Sequence, residues 1–105
     1  MRKQDNIITE AEIQRKILSY LRALPNSYIL RPIICAESGT PDIIALVAGQ
    51  YIAIEVKRSG KRPTKLQEHR MAQIGMAGGI AICAYSVEDV KKCIDKIPIA
   101  PTVSP

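Results

Sequence analysis

The sequence predicts an α/β domain, a mixed four-stranded sheet flanked by helices in the order helix, three strands, helix, strand, helix. Three observations carry this prediction. Apolar residues recur at helical spacing near the start of the chain, they alternate at strand spacing in the middle, and a Gly-Gly stop divides a capped helix from a short apolar run. Runs of strand broken by helix indicate a layered sheet, and 105 residues suffice for one core.

The first helix is predicted over Ile8 to Leu24, where Ile13, Ile17, Tyr20, Leu21 and Leu24 share a face. Thr9 is its natural N-cap and Glu12, three residues on, completes a capping box; Pro25-Asn26 ends it. Tyr28 to Cys35 is rich in strand formers but contains Pro32, which cannot donate to a ladder and so favours an edge strand or a bulge. After the turn residues Ser38-Gly39-Thr40-Pro41, the runs Ile43 to Val47 and Tyr51 to Lys57 flank Gly49-Gln50 and read as an antiparallel hairpin. A polar loop over Gly60 to Pro63 leads to Thr64, the cap of a helix that reaches about Met76 and stops at Gly78-Gly79. Ile80 to Tyr85 is almost wholly apolar, the composition of a strand buried on both faces. Ser86 caps the last helix, with Asp89 at the third position of its box, through about Lys96. From Pro98 the segment PIAPTVSP holds three prolines in eight residues and cannot continue a helix. Residues 1–97 are thus read as one domain and 98–105 as a Pro-rich tail.

Composition narrows the function classes. The chain is 47% hydrophobic with four aromatics, all Tyr, so its core must be aliphatic, and nothing suggests intrinsic disorder. A net charge of +5, with the cations spread over both halves, suits a polyanionic partner such as nucleic acid. Cys35, Cys83 and Cys93 are an odd number with no close pair, which reads as free buried thiols in a reducing compartment. No apolar stretch approaches the ~20 residues needed to span a bilayer, and the start MRKQDN has no signal-peptide core, so a cytoplasmic protein without membrane contact is expected.

Chemistry concentrates around Tyr51 to Lys57. Alternation places Ile52, Ile54 and Val56 on one face and Tyr51, Ala53, Glu55 and Lys57 on the other. A short hairpin would bring Asp42, at the start of the preceding strand, alongside them. Two carboxylates and an ammonium group suit phosphodiester hydrolysis. Hard oxygens hold Mg2+ or Mn2+, which polarises the phosphate and acidifies a bound water, while the ammonium orients that water or offsets developing charge. Taken alone, Glu55 and Lys57 also fit a surface ion pair, with Asp42 a turn residue.

The wider pattern resembles the PD-(D/E)XK nucleases and, more narrowly, the virus-type replication-repair nuclease (VRR-NUC) domains. The resemblance runs from about Thr9 to Ile94. It rests on Glu10-x-x-Ile13-Gln14 in the opening helix, Gly39-x-Pro41-Asp42, Glu55-Val56-Lys57, a downstream Gln67, and a closing strand and helix. It implies a restriction-endonuclease-like core, with Asp42 and Glu55 as metal ligands, the Val56 carbonyl as a further one, and Lys57 positioning or activating the attacking water. It also implies a glutamate from the opening helix. Helix geometry favours Glu10, on the apolar face with Ile13, Gln14 and Ile17, over Glu12, which points away and keeps the cap.

Gln67 falls in the first turn of the middle helix, on a face with Leu66, Met71 and Ile74; it is read as a supporting site residue, with a partner in the Thr64 cap as the other reading. Gln14 fits a core amide and His69 a solvated or DNA-facing position. Lys57, Arg58, Lys61, Arg62 and Lys65 place five cations in nine residues beside the presumed site. Arg58, Lys61, Arg62 and Lys65 are the candidates for phosphate contacts, which position DNA without reading its sequence.

The function these features imply is a metal-dependent, structure-specific DNA endonuclease. By resemblance, small stand-alone members cut branched DNA, and a two-fold homodimer would suit a four-way junction, so a Holliday-junction resolvase is expected. A flap or nicking repair endonuclease is the alternative in that class. A non-catalytic DNA-binding module of the same fold and a sequence-specific restriction-like enzyme are the alternatives outside it.

Overall fold

A computed structural model describes residues 8–33 and 37–98 of the chain. Its elements run α1 (Glu10–Arg22), β1 (Ser27–Leu30), β2 (Ile43–Val47), β3 (Gln50–Val56), α2 (Lys65–Met76), β4 (Ile80–Ala84) and α3 (Val87–Asp95), the order that periodicity predicts. The four strands form one sheet in chain order, antiparallel from β1 to β3 and parallel between β3 and β4. The one parallel step is the one that spans a helix, α2, as a crossover connection requires.

Local chemistry sets the element ends. At α1 the Thr9 hydroxyl accepts from the Glu12 N–H at 3.2 Å, and the Glu12 carboxylate accepts from the Thr9 N–H at 2.9 Å, a complete capping box. The β2–β3 turn is Ala48-Gly49, one residue earlier than expected, because both carry positive φ (49° and 84°) and Val47 faces Gln50. That geometry is a two-residue primed turn whose twist matches the strands, and glycine adopts it without a Cβ penalty. Helix α2 ends as predicted, with the Gly79 N–H reaching back to the Ile74 carbonyl at 2.9 Å.

Strand alternation divides the sheet into two faces. One carries Ile43, Ala45, Val47, Ile52, Ile54 and Val56; α1 covers it with Ile13, Ile17, Leu18 and Leu21, and α3 with Val90. This is the main core, and it is aliphatic as the composition requires. The other face carries Ala53 and Glu55, and α2 lies over its β3–β4 half.

Three expectations need correction. Strand β1 stops at Leu30, before Pro32, instead of running on toward Cys35; it is the edge strand that the proline favours, and Cys35 lies outside the described residues. Strand β4 is not buried on both faces: it is the other edge, and only its Ala84 is fully buried. At α3, Ser86 accepts from the Asp89 N–H as expected. The Asp89 carboxylate, however, accepts from the Tyr85 N–H at 2.8 Å instead of completing the box. Cys83 and Cys93 are free, half-buried thiols. Residues 99–105 of the tail lie outside the described residues, and among the described ones no helix is long and apolar enough to cross a membrane.

Candidate active site

The β2–β3 register places Ile43 opposite Ile54, so Asp42, one residue earlier, enters beside Glu55 at the end of the sheet. The two strands are tied there by side chain as well as by ladder. The Val56 N–H donates to Asp42 Oδ2 at 2.8 Å, which orients the carboxylate across the strand end. Strand β3 continues into β4 through the Lys57 N–H, which donates to the Ala84 carbonyl at 3.0 Å. The position of Lys57 is therefore set by backbone pairing on one side and that of Asp42 on the other.

Glu55 is 3% exposed, the one buried charged residue among those described. A carboxylate so placed must be satisfied or protonated. Gln67 Nε2 donates to its Oε2 at 2.7 Å, and Lys57 Nζ stands 3.9 Å from the same oxygen. These contacts do not offset its environment. Burial first, then the charge of Asp42 and a carboxyl–carboxyl hydrogen bond with it, push the Glu55 pKa up from 4.5 to about 8; Lys57 opposes and the more distant Glu10 reinforces. Two carboxyls thus share a site that holds a proton at neutral pH.

Gln67 serves both of the readings drawn from the sequence. Its Oε1 accepts from the Thr64 N–H at 2.8 Å, completing the α2 capping box, while its amide N–H2 reaches Glu55. The cap fixes the acceptor end and so aims the donor end at the site. Leu66, expected on the same inward face, is instead 42% exposed, because α2 rests on the sheet with no fully buried residue.

Glu10 opens α1 on the other side of the sheet end, and its Oε2 accepts from the Arg58 N–H at 3.3 Å. Of the two first-turn glutamates, Glu10 reaches the loop after Lys57, whereas Glu12 is engaged in the cap. Gln14 is half-buried and His69 exposed. Arg58, Lys61, Arg62 and Lys65 are all exposed, the first three on the loop that leads from β3 to α2 and Lys65 at the first position of α2.

Two supporting residues escaped sequence reasoning. Arg70 bonds the Ser38 carbonyl at 3.1 Å and pairs with Glu37 at 3.1 Å, anchoring to α2 the turn that carries Asp42. Its spacing of three from Gln67 puts it on the same side of the helix, and that was the available signal. Tyr85 donates its hydroxyl to the Lys61 carbonyl at 2.9 Å and so tethers the basic loop to the end of β4. That contact joins residues 24 apart, and nothing local announces it.

No family model matches the sequence, and no curated protein does. Solved structures do match its shape. One, described as a VRR-NUC domain, superposes with a TM-score of 0.73 at 20% identity over 87% of this chain and all of its own. Another, described as a VRR-NUC domain protein, gives 0.71 at 22% identity over 86% of this chain and 88% of its own. The mixed four-stranded sheet with its flanking helices, and the sheet end where Asp42, Glu55 and Lys57 meet, are built on the fold of the VRR-NUC domains.

Proposed function

We propose that this chain is a divalent-metal-dependent DNA endonuclease whose site comprises Glu10, Asp42, Glu55, Lys57 and Gln67. The observation that carries the reading is the meeting of Asp42, Glu55 and Lys57 from two strands at one end of the sheet, with Gln67 holding Glu55 from a helix. The VRR-NUC fold supports the same reading.

The residues present fit a hard dication. Two carboxyls crowded until one retains a proton are a set of oxygens whose repulsion a doubly charged ion would relieve. Asp42, Glu55 and the Val56 carbonyl would hold Mg2+ or Mn2+. Among the described residues no group of three or more His, Cys, Asp or Glu could enclose a metal alone. The remaining ligands would be water and phosphate oxygens, as Mg2+ ordinarily keeps. Bound there, the ion would polarise the scissile phosphate and acidify the attacking water.

The chain's own residues supply the rest. Gln67 orients Glu55, and the Val56 N–H orients Asp42. Lys57, with its side chain 15% exposed, offers a cation positioned to orient water or offset charge on the phosphate. Arg58, Lys61, Arg62 and Lys65 contact backbone phosphates next to the site.

Within that class the reading is a Holliday-junction resolvase acting as a homodimer, with a flap or nicking enzyme as the alternative. A surface for pairing is available on the half of the sheet that α2 leaves bare. Tyr28 and Leu46 stand opposite each other there, 68% and 45% exposed, with Leu30 beside them.

Incubating the protein with a labelled four-way junction, a flap substrate and a matched linear duplex, in Mg2+, Mn2+ or chelator, tests the proposal. Paired, metal-dependent cuts in the junction that are lost in Lys57→Ala are expected. Cutting of flaps alone would select the alternative. Binding without cutting in either metal would leave a non-catalytic DNA-binding module.

A further inference from the structure

The basic loop accounts for cations on one side of the site; a second group lies on the other side. Between α1 and the end of β1 the surface forms a groove of about 550 Å3, lined by Glu12, Leu18 and Ser19 together with Arg15, Arg22 and Arg31. Arg15 and Arg22 lie seven residues apart on one flank of α1, a rise of about 10 Å. Arg31 comes from a different element, one residue past the Leu30–Ile44 pair and so toward the sheet end where Asp42 stands. All three are exposed.

Their charge is answered only in part within the fold, by the attraction between Arg15 and Glu12. Among the described residues none of the three side chains makes a salt bridge or a hydrogen bond. The one carboxylate lining the groove, Glu12, already accepts from both the backbone and the hydroxyl of Thr9. The α1 macrodipole accounts for a cation at Arg22, in the last turn. It does not account for Arg15 in mid-helix or for Arg31 on a strand end. Three guanidiniums lining one groove from two elements, against the single carboxylate of Glu12, leave a net positive lining that suits phosphates, which the planar fork binds in pairs of hydrogen bonds. A rise of about 10 Å matches about three nucleotide steps along a strand.

We propose that this groove is a second phosphate track, so that duplex DNA crosses the sheet end with Arg58, Lys61, Arg62 and Lys65 on one flank and Arg15, Arg22 and Arg31 on the other. The proposal rests on the nucleic-acid reading above and assigns that site a second flank.

Equilibrium binding of a labelled duplex in chelator, measured over a range of salt, tests it apart from cleavage. The triple variant Arg15→Ala, Arg22→Ala, Arg31→Ala should lower the slope of log affinity against log salt by about 2 to 3, at about 0.9 per phosphate released. Ser19→Arg and Ser19→Glu, single changes at an exposed residue of the groove lining, should shift affinity in opposite directions, and they serve if the triple variant fails to fold. A Lys61→Ala, Arg62→Ala variant should lower the slope separately and additively. If the wild type binds duplex but neither the arginine nor the Ser19 changes move its affinity or slope, the groove proposal fails and the nucleic-acid reading stands. If the wild type binds no duplex even at low salt, both fail. If the arginines govern binding to anionic lipid vesicles and leave DNA binding untouched, the groove serves another partner and the proposal is overturned.

Discussion

Glu55 is the buried carboxyl of the candidate site, and its surroundings set its proton affinity. Burial and Asp42 raise its pKa from 4.5 to about 8, so the folded protein holds a proton there that the unfolded chain releases near 4.5. The sign follows from linkage: the contribution to stability is fully present below about 4.5 and is lost as pH rises through about 8. Metal-free protein should therefore melt at a lower temperature at pH 8.5 than at pH 6.5, and apparent Mg2+ affinity should rise over the same interval because the ion competes with the proton. Thermal melts in chelator and Mg2+ titration calorimetry check both; values flat across that range would contradict the assigned environment. Gln67 acts through Glu55, and its two ends can be separated. Gln67→Ala should cost about 1 kcal/mol of stability and about 10- to 100-fold in metal affinity or cutting. Gln67→Glu keeps the capping oxygen but sets a carboxylate against Glu55, so it should spare the melt at neutral pH more than the cutting rate.

Among the elements, the turn ahead of β2 does the most to position the site. Gly39 has φ +79°, and a Cβ there would come within 2.9 Å of Leu66 Cγ and 3.1 Å of Arg70 Cγ. The glycine thus meets two demands at once, a left-handed backbone and a close approach to α2. Gly39→Ala should destabilise by about 1 to 3 kcal/mol. It should also weaken cutting beyond what lost stability explains, because the displaced turn carries Asp42. A denaturation curve beside the cleavage rate at a temperature where the variant is fully folded separates the effects, and unchanged activity there would show that the turn does not position Asp42. Helix α2 binds this turn through Arg70 and binds Glu55 through Gln67, so a helix with no fully buried residue is held by its polar contacts as much as by packing.

At the scale of the whole molecule, the two faces of the sheet are unequal. Helices α1 and α3 close one over an aliphatic core, whereas α2 covers only part of the other. The exposed Tyr28, Leu30 and Leu46 give the proposed homodimer a surface to bury, and the free edge of β1 lies beside them. Leu46→Glu should convert a dimer to a monomer with little change in the protomer's secondary structure, as read by sedimentation and circular dichroism. A wild type that is monomeric at every concentration, or a variant that stays dimeric, would rule out pairing through this face.

What the sequence determined by itself was the set of elements and the side chains that each could offer. Helix caps at Thr9 and Thr64, the presence of a hairpin between β2 and β3 though not its turn residues, and the alternation that sets Glu55 apart from Ile54 all depend on contacts within a few residues, so they are legible locally. The choice of Glu10 over Glu12 was equally local, a matter of helical phase. Tertiary structure decided what lies far apart in the chain. Asp42 accepts from a residue 14 positions on, Gln67 reaches back 12 to Glu55, Arg70 reaches back 32 to Ser38, and Tyr85 reaches back 24 to Lys61. It also decided that β4 is an edge, since an apolar strand reads alike whether one side or both are covered. The raised proton affinity of Glu55 belongs to the same class. Desolvation and a neighbouring charge are properties of the space around a residue, and they exist only once the strands have paired and the helix has closed over them.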